Sequence, residues 1–518
     1  REINQKLTHL HSTLFENSKI VYCLTLLIAL CLPLVIHDQY YLRVANNVLM
    51  YSMLAMGLNI VLGFTGIVHL GQAAMFALGA YTTALLTTRY GVGFFPAFVI
   101  SIITPVVASF ILGFPSLRVG GRYLALVTYA FGAIVRIVAN GWVSFTNGPM
   151  GISSIPAPRL FGITIQGNVM FYYFGLLLLI LIYSGCYLMV NSHFGRAFLA
   201  IREDGVAAST MGINTSYYKI LAFIISAIPA GIAGSYYASY MSYIGPSSFT
   251  SSTSILIVEM VILGGRASLP GSILGSGLLV IALELLRPIA VVREAFIGIT
   301  MLLLLKFRPQ GILGASSITH SKLGNNNNKR KQLTNDLSFP KVDQTTFKVI
   351  KNFGGVKALH SVDFDMRQGE ILGLIGPNGA GKTTLFNLIS GIIQPTSGSI
   401  IMEGKDIVGL PMHEIAVLGQ NRTFQNLRLF KNLPLITNVM IGGHLQSKSS
   451  ILQTLRRTSS FKQKEQDAKC EALKLLEFVG LGSKAYDQVK NLPYGELKIL
   501  EIARVNPRFF FLMNQPRG

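Results

Sequence analysis

Residues 376 to 384 read Gly376-Pro377-Asn378-Gly379-Ala380-Gly381-Lys382-Thr383-Thr384, a spacing that serves the chemistry of phosphate binding. The glycines let successive backbone N–H groups turn inward and close on phosphate oxygens as a nest. A helix starting directly behind adds the positive end of its dipole. Lys382 brings a point charge for β- and γ-phosphates, and the Thr383 hydroxyl is placed to ligate Mg²⁺. Upstream, the apolar run Ile371-Leu-Gly-Leu-Ile375 predicts the strand that feeds the loop, and Thr384-Leu-Phe-Asn-Leu-Ile389 predicts the helix. Strand, loop and helix in that order specify a nucleotide site.

The rest of the chain divides by charge. Residues 1–320 hold 17 Lys/Arg and 8 Asp/Glu, whereas 321–518 hold 27 and 15, the density of a soluble domain. No Asp, Glu, Lys or Arg occurs from Val44 to Thr88, Tyr90 to Leu117, Leu160 to Gly195 or Ile220 to Val258. Crossing a hydrocarbon core of about 30 Å takes about 20 apolar residues in a helix. The apolar runs near 20–36, 44–62, 66–88, 94–114, 123–143, 169–190, 217–241, 253–264, 270–286 and 295–305 predict eight to ten spans. Glycine clusters at Gly63, Gly66, Gly71 and Gly79, and again at Gly264, Gly265, Gly271 and Gly275, fit close helix packing through small residues better than helix breaks.

The net charge of +21 is explained by loops that collect Lys and Arg beside a membrane, which argues against a nucleic-acid partner. The loop His193–Lys219 and the exit segment Lys306–Arg308 read as cytoplasmic. Between the halves, 315–344 is a polar linker, and its Lys329-Arg330-Lys331 cluster suits anionic membrane lipid. Cys23, Cys31, Cys186 and Cys470 form neither a disulfide framework nor a metal-ligand spacing, so they read as reduced.

Arg422-Thr-Phe-Gln425 and Leu492-Pro-Tyr-Gly-Glu-Leu-Lys-Ile-Leu-Glu-Ile-Ala-Arg504 resemble the ATP-binding-cassette (ABC) family. Within it the whole chain resembles the branched-chain amino acid importers of bacteria, with a permease fused to its ATPase. The resemblance implies a fold: an all-α polytopic membrane domain (1–314), the linker (315–344) and an α/β P-loop ABC ATPase domain (345–518) incomplete at its C-terminus. It implies ATP and Mg²⁺ as cofactors, the metal held by Thr383, Gln425 and Asn514. Phe353 falls where the family stacks an aromatic ring on adenine. Leu492, Pro493, Tyr494, Gly495 and Glu496 match the sequence that caps the γ-phosphate held by a facing second cassette.

Gly121–Thr128, Thr146–Gly151 and Arg308–Gly314 resemble the family's permease, and Ser192–Asp204 with Met211–Asn214 resembles its cytoplasmic coupling helix. Arg196, Arg202, Glu203, Asp204 and Gly212 are thereby expected to transmit movement between ATPase and permease. The implied assembly adds a second permease subunit, a second ATP-binding subunit, an extracytoplasmic solute-binding protein and a small amino acid substrate. Its location is the bacterial inner membrane, with the ATPase cytoplasmic.

One stretch departs from the pattern. After Phe509-Phe-Phe-Leu-Met513 the family places Asp-Glu-Pro, the Glu as general base, but this chain has Asn514-Gln515-Pro516. An amide cannot take up a proton as a carboxylate does, and losing a base costs a factor of about 10² to 10⁴. Lys382, Gln425 and Gln515 thus occupy the catalytic positions, the last with altered chemistry. About four residues also fall short of the family between Arg504 and Asn506. The alternative functions are a hydrolysis-deficient nucleotide-binding scaffold or decayed gene product, or an importer of another small solute such as urea or sugar.

Overall fold

The computed structural model describes residues 18–118, 122–160, 162–288, 295, 298–300, 302–303, 306–307, 310–314, 345–367, 370–402, 404–424, 426–504 and 509–511. Two compact units emerge, the first drawn from 1–190 and 219–324, the second from 191–218 and 325–518.

Among the described residues, six helices of the first unit are long and apolar enough to cross a membrane: Gln39–Phe64, Phe94–Gly113, Tyr123–Gly141, Gly167–Val190, Thr215–Met241 and Pro246–Gly264. Of the eight to ten spans expected from apolar runs, those near 20–36 and 295–305 lie partly outside the described residues. The run 66–88 becomes helical only at Gln72, and the run 270–286 is confined to Leu269–Leu285, so each helix has 17 residues. At 1.5 Å per residue, each reaches only about 26 Å. The second of these helices starts sharply because Pro270 occupies its first turn and the Ser268 hydroxyl accepts from the Gly271 N–H at 3.1 Å.

Of the clustered glycines, Gly79, Gly264, Gly271 and Gly275 lie at close helix crossings, whereas Gly66 and Gly265 take positive φ at turns. A side chain on Gly79 would come within 2.8 Å of the Gly231 backbone, and one on Gly264 would strike the Gly271 carbonyl. Where Gln39–Asn59 passes into a π-turn at Ile60–Phe64, fully buried Asn59 fastens the break. Its amide donates to the Ser268 carbonyl and the Ser272 hydroxyl, both at 2.8 Å, and accepts from the Ala267 N–H at 3.0 Å. One side chain thus answers polar groups that lipid would leave unsatisfied.

In the second unit, Val356–Met366, Thr345–Phe353, Ser397–Met402 and Lys405–Asp406 form an antiparallel sheet in that spatial order. Phe347, Val349, Ile400 and Met402 alternate toward one face, where Leu385 and Leu388 of the helix Lys382–Ile389 cover them. Beyond it Phe509–Phe511 pairs in parallel with Gln420–Arg422. A separate helical core gathers Leu435, Ile436, Val439, Leu476, Val489 and Leu500.

The expected strand Ile371–Ile375 does not form: Ile371 is 98% and Ile375 95% exposed. A strand exists only through its ladder. No described residue pairs with this run, so its apolar sequence alone cannot hold it extended in a sheet.

Candidate nucleotide site and docking segment

The phosphate loop keeps the expected backbone even without that strand. Gly379 and Gly381 sit at φ of 87° and 83°, the left-handed region that glycine enters freely. At Gly381 a Cβ would also lie 2.7 Å from Leu359 Cδ2 and 2.8 Å from the Ala358 carbonyl oxygen, so only glycine fits. Lys382 opens the helix, and its ammonium curls over the loop to donate to the carbonyls of Gly376 and Pro377 at 2.5 and 2.7 Å. Residues 376–380 are exposed. Phosphate oxygens can replace those two carbonyls as acceptors and gain the helix dipole as well, so the loop fits a nucleotide's phosphates.

The metal donors are less complete. Thr383 stands in the first turn of the helix, whereas Gln425, Asn514 and Gln515 lie outside the described residues. No group of three His, Cys, Asp or Glu that could hold a metal occurs among the described residues. A magnesium ion here would rest on the Thr383 hydroxyl and the phosphates themselves.

Phe353 ends its strand with the ring 49% exposed and the Lys351 ammonium 5.0 Å from the ring centroid. Leu492 is buried, whereas Pro493, Tyr494 and Gly495 are exposed where the helix Tyr494–Arg504 begins. Lys484 holds the Glu496 carboxylate at 2.7 and 2.8 Å.

The segment 191–218 belongs to the same compact unit as these residues. Ser192 caps the helix His193–Glu203, which buries Phe194, Ala197, Phe198 and Ile201 along one face. Arg196 makes a two-pronged pair with Glu465 at 2.5 and 2.9 Å. Asp204 serves twice. Its Oδ1 accepts from the N–H groups of Val206 and Ala207, starting the helix Gly205–Thr210, and its carboxylate pairs with Arg428 at 3.1 Å. Glu203 accepts from the Asn432 amide at 3.0 Å and lies 3.5 Å from Arg202. All five residues expected to couple therefore sit in this unit. Their partners Arg428, Asn432 and Glu465 were not foreseen, because a partner more than 220 residues away leaves no spacing to read.

Gly212 turns the segment at φ 79°, and a Cβ there would lie 2.7 Å from Leu445 Cδ2. Gly212→Val is expected to cost about 2 kcal/mol or more through left-handed strain plus the clash, read as a lower unfolding temperature of this unit. An unchanged transition would show that the turn relaxes freely.

Beside it His193 shares a hydrogen bond with Ser449 at 3.2 Å, and His444 shares one with Tyr218 at 3.1 Å. Burial pushes both imidazoles down to about 3, helped by the positive charges of Arg196 and Lys448. Unfolded histidine titrates near 6.5, so between about pH 3 and 6.5 the unfolded state binds more protons than the folded one. Stability then rises with pH across that window and falls on acidification. Protection of 191–218 against hydrogen exchange, taken relative to the intrinsic rate at each pH, should therefore fall between about pH 7 and pH 5. Replacing both histidines by glutamine should flatten the difference, and an equal difference in the variant would exclude them as its source.

Residues 40–305 match the family of branched-chain amino acid transport system permease components, and residues 359–509 match the ABC transporter family. The high-affinity branched-chain amino acid transport system permease protein LivM of Salmonella typhimurium is 36% identical over 311 residues, 56% of this chain and 73% of that protein. The high-affinity branched-chain amino acid transport ATP-binding protein LivG of Escherichia coli K12 is 41% identical over 156 residues, 30% of this chain and 61% of that protein. A crystal structure of an ABC transporter's ATP-binding cassette in its ADP conformation is 30% identical, covering 33% of this chain and 68% of its own, with a TM-score of 0.27. The chain belongs to the family of branched-chain amino acid transport permeases, as a multi-pass membrane protein with an ABC-type nucleotide-binding region fused behind the permease.

Proposed function

We propose that the chain is a subunit of a bacterial inner-membrane importer that uses ATP to take up branched-chain or related small amino acids. The observation that carries this reading is the capture of 191–218 by the ATP-binding unit, through Arg196–Glu465 and Asp204–Arg428. A permease segment fastened there moves with the nucleotide site. ATP, with Mg²⁺ on Thr383, draws this cassette toward that of a second ATP-binding subunit, whose phosphates meet Leu492–Glu496. The fastened segment passes the movement to the spans, which with a second permease alternate their opening. An extracytoplasmic solute-binding protein delivers the substrate, and the nucleotide-binding unit faces the cytoplasm.

The test is uptake of labelled leucine, isoleucine and valine into proteoliposomes that hold the chain with its partner subunits and ATP inside. ATP-dependent entry that excess urea or sugar does not suppress supports the reading; none for any amino acid would sink it. Asn514 and Gln515 favour a second reading for hydrolysis alone, in which this cassette binds nucleotide while its partner cleaves it. Gln515→Glu should then raise turnover.

A further inference from the structure

From Gln446 to Lys464 the chain carries five Lys or Arg and no Asp or Glu. Its middle is the short helix Ile451–Arg456, fixed by a reciprocal cap. The Ser450 hydroxyl accepts from the Gln453 N–H at 3.2 Å, and the Gln453 side chain accepts from the Ser450 N–H at 3.1 Å. Thr454 and Phe461 are buried, and the Lys464 ammonium donates to the Lys448 carbonyl at 2.9 Å, which ties the two ends of the element together. Held in this way, the helix leaves Ile451, Leu452 and Leu455 exposed, Leu452 by 57%. Positions i, i+1 and i+4 share one side of a helix, so the three form a single apolar stripe. One exposed leucine is ordinary, but a contiguous group on a capped element marks a contact surface.

The charges around it name the partner. Lys448, Arg456, Arg457 and Lys462 flank the stripe in sequence, are exposed, and make no ion pair among the described residues. The next acids come later, on the helix Ser459–Phe478: Glu465 is engaged by Arg196, and Asp467 and Glu471 lie about 12 Å or more along the helix from its start. Ser449, beside the cap, shares its hydrogen bond with His193, which follows the span Gly167–Val190 by three residues, at most about 11 Å of chain. The other end of 191–218 enters the span Thr215–Met241, so this segment leaves one leaflet and returns to the same one. Phosphate headgroups over acyl chains match basic groups beside an apolar stripe, and each Lys or Arg near an anionic leaflet strengthens the hold about fivefold. We propose that Ile451, Leu452 and Leu455 seat in the anionic leaflet at which 191–218 begins and ends, with Lys448, Arg456, Arg457 and Lys462 on its phosphates. The contact needs only the bilayer around the spans, whatever solute they carry.

The chain's one tryptophan, Trp142, makes room for a reporter. Leu452→Trp is placed in a Trp142→Phe chain, and the full chain is reconstituted in nanodiscs of phosphatidylglycerol brominated on the upper acyl chain. Tryptophan quenching is read, and binding of an ATP analogue to the same sample reports folding. Phe478→Trp is the reference, because Phe478 is 89% exposed at the far end of a helix about 30 Å long. Quenching at 452 should exceed that at 478 by about threefold or more, and Leu455→Trp should give the same result from the next turn. Brominated phosphatidylcholine should quench 452 less. Arg456→Glu with Lys462→Glu should bring the phosphatidylglycerol value down to that level while the ATP analogue stays bound. Quenching at 452 and 455 no greater than at 478, or equal in both lipids and unmoved by the charge reversal, would overturn the proposal. So would shielding of 452 that arises only when a partner subunit is added, since the face would then belong to a protein.

Discussion

Lys382→Ala should leave the chain in the membrane and remove its hold on nucleotide. The Lys382 ammonium already sits over the loop, held by the Gly376 and Pro377 carbonyls, so little reorganisation precedes phosphate binding. Each hydrogen bond from a charged donor contributes about 1.5–3 kcal/mol, and losing about 2 kcal/mol weakens binding roughly 30-fold. Alanine propagates a helix at least as well as lysine, so Lys382–Ile389 and the core under it should persist. Titration of a fluorescent ATP analogue measures the loss, and membrane extraction reports insertion. Equal affinity in the variant would remove the loop from the nucleotide site altogether.

The second large effect is a charge reversal in the docking segment. The side chains of Arg196 and Glu465 are 13% and 20% exposed, so solvent screens the pair only in part. Arg196→Glu sets two carboxylates face to face where a two-pronged pair had been, and breaking a buried pair costs about 3–5 kcal/mol. Discounted for partial exposure, about 2 kcal/mol is expected, enough to loosen the segment in a large fraction of molecules. ATP-driven uptake should fall about tenfold or more while nucleotide binding stays, because the phosphate loop is untouched. Glu465→Arg in the same chain restores the pair with its direction reversed and should recover most of the uptake. If the double variant is no better than the single one, the pair is not what fastens the segment.

Local chemistry could be read from the residues directly. Gly379, Gly381 and Lys382 act through their own backbone and the helix they begin, so adjacent sequence carries the geometry. The local turns of 191–218 were also legible, because Ser192, Asp204 and Gly212 each cap or turn the chain within a few residues. What escaped was everything that depends on distant partners. Ile371–Ile375 has the composition of a buried strand but no neighbour to pair with among the described residues. Arg428, Asn432 and His444 carry no local sign that 191–218 will cover them. Likewise the helices Gln72–Thr88 and Leu269–Leu285 fall short of a full span because caps and glycine crossings, rather than hydropathy, fix where they begin.

The capture of 191–218 also governs how the chain must be made. Arg196 and Glu465 are 269 residues apart, so the docking helix leaves the ribosome long before its counterpart exists. At about 5–20 residues per second, the wait is on the order of ten to fifty seconds. During that time Arg196, Asp204 and Glu203 lack Glu465, Arg428 and Asn432, the partners that later hold the segment. A linker cut between the two halves would separate the ATP-binding region from a piece of its own fold. Expression of residues 345–518 alone should therefore give a less soluble product than co-expression with a peptide spanning 191–218.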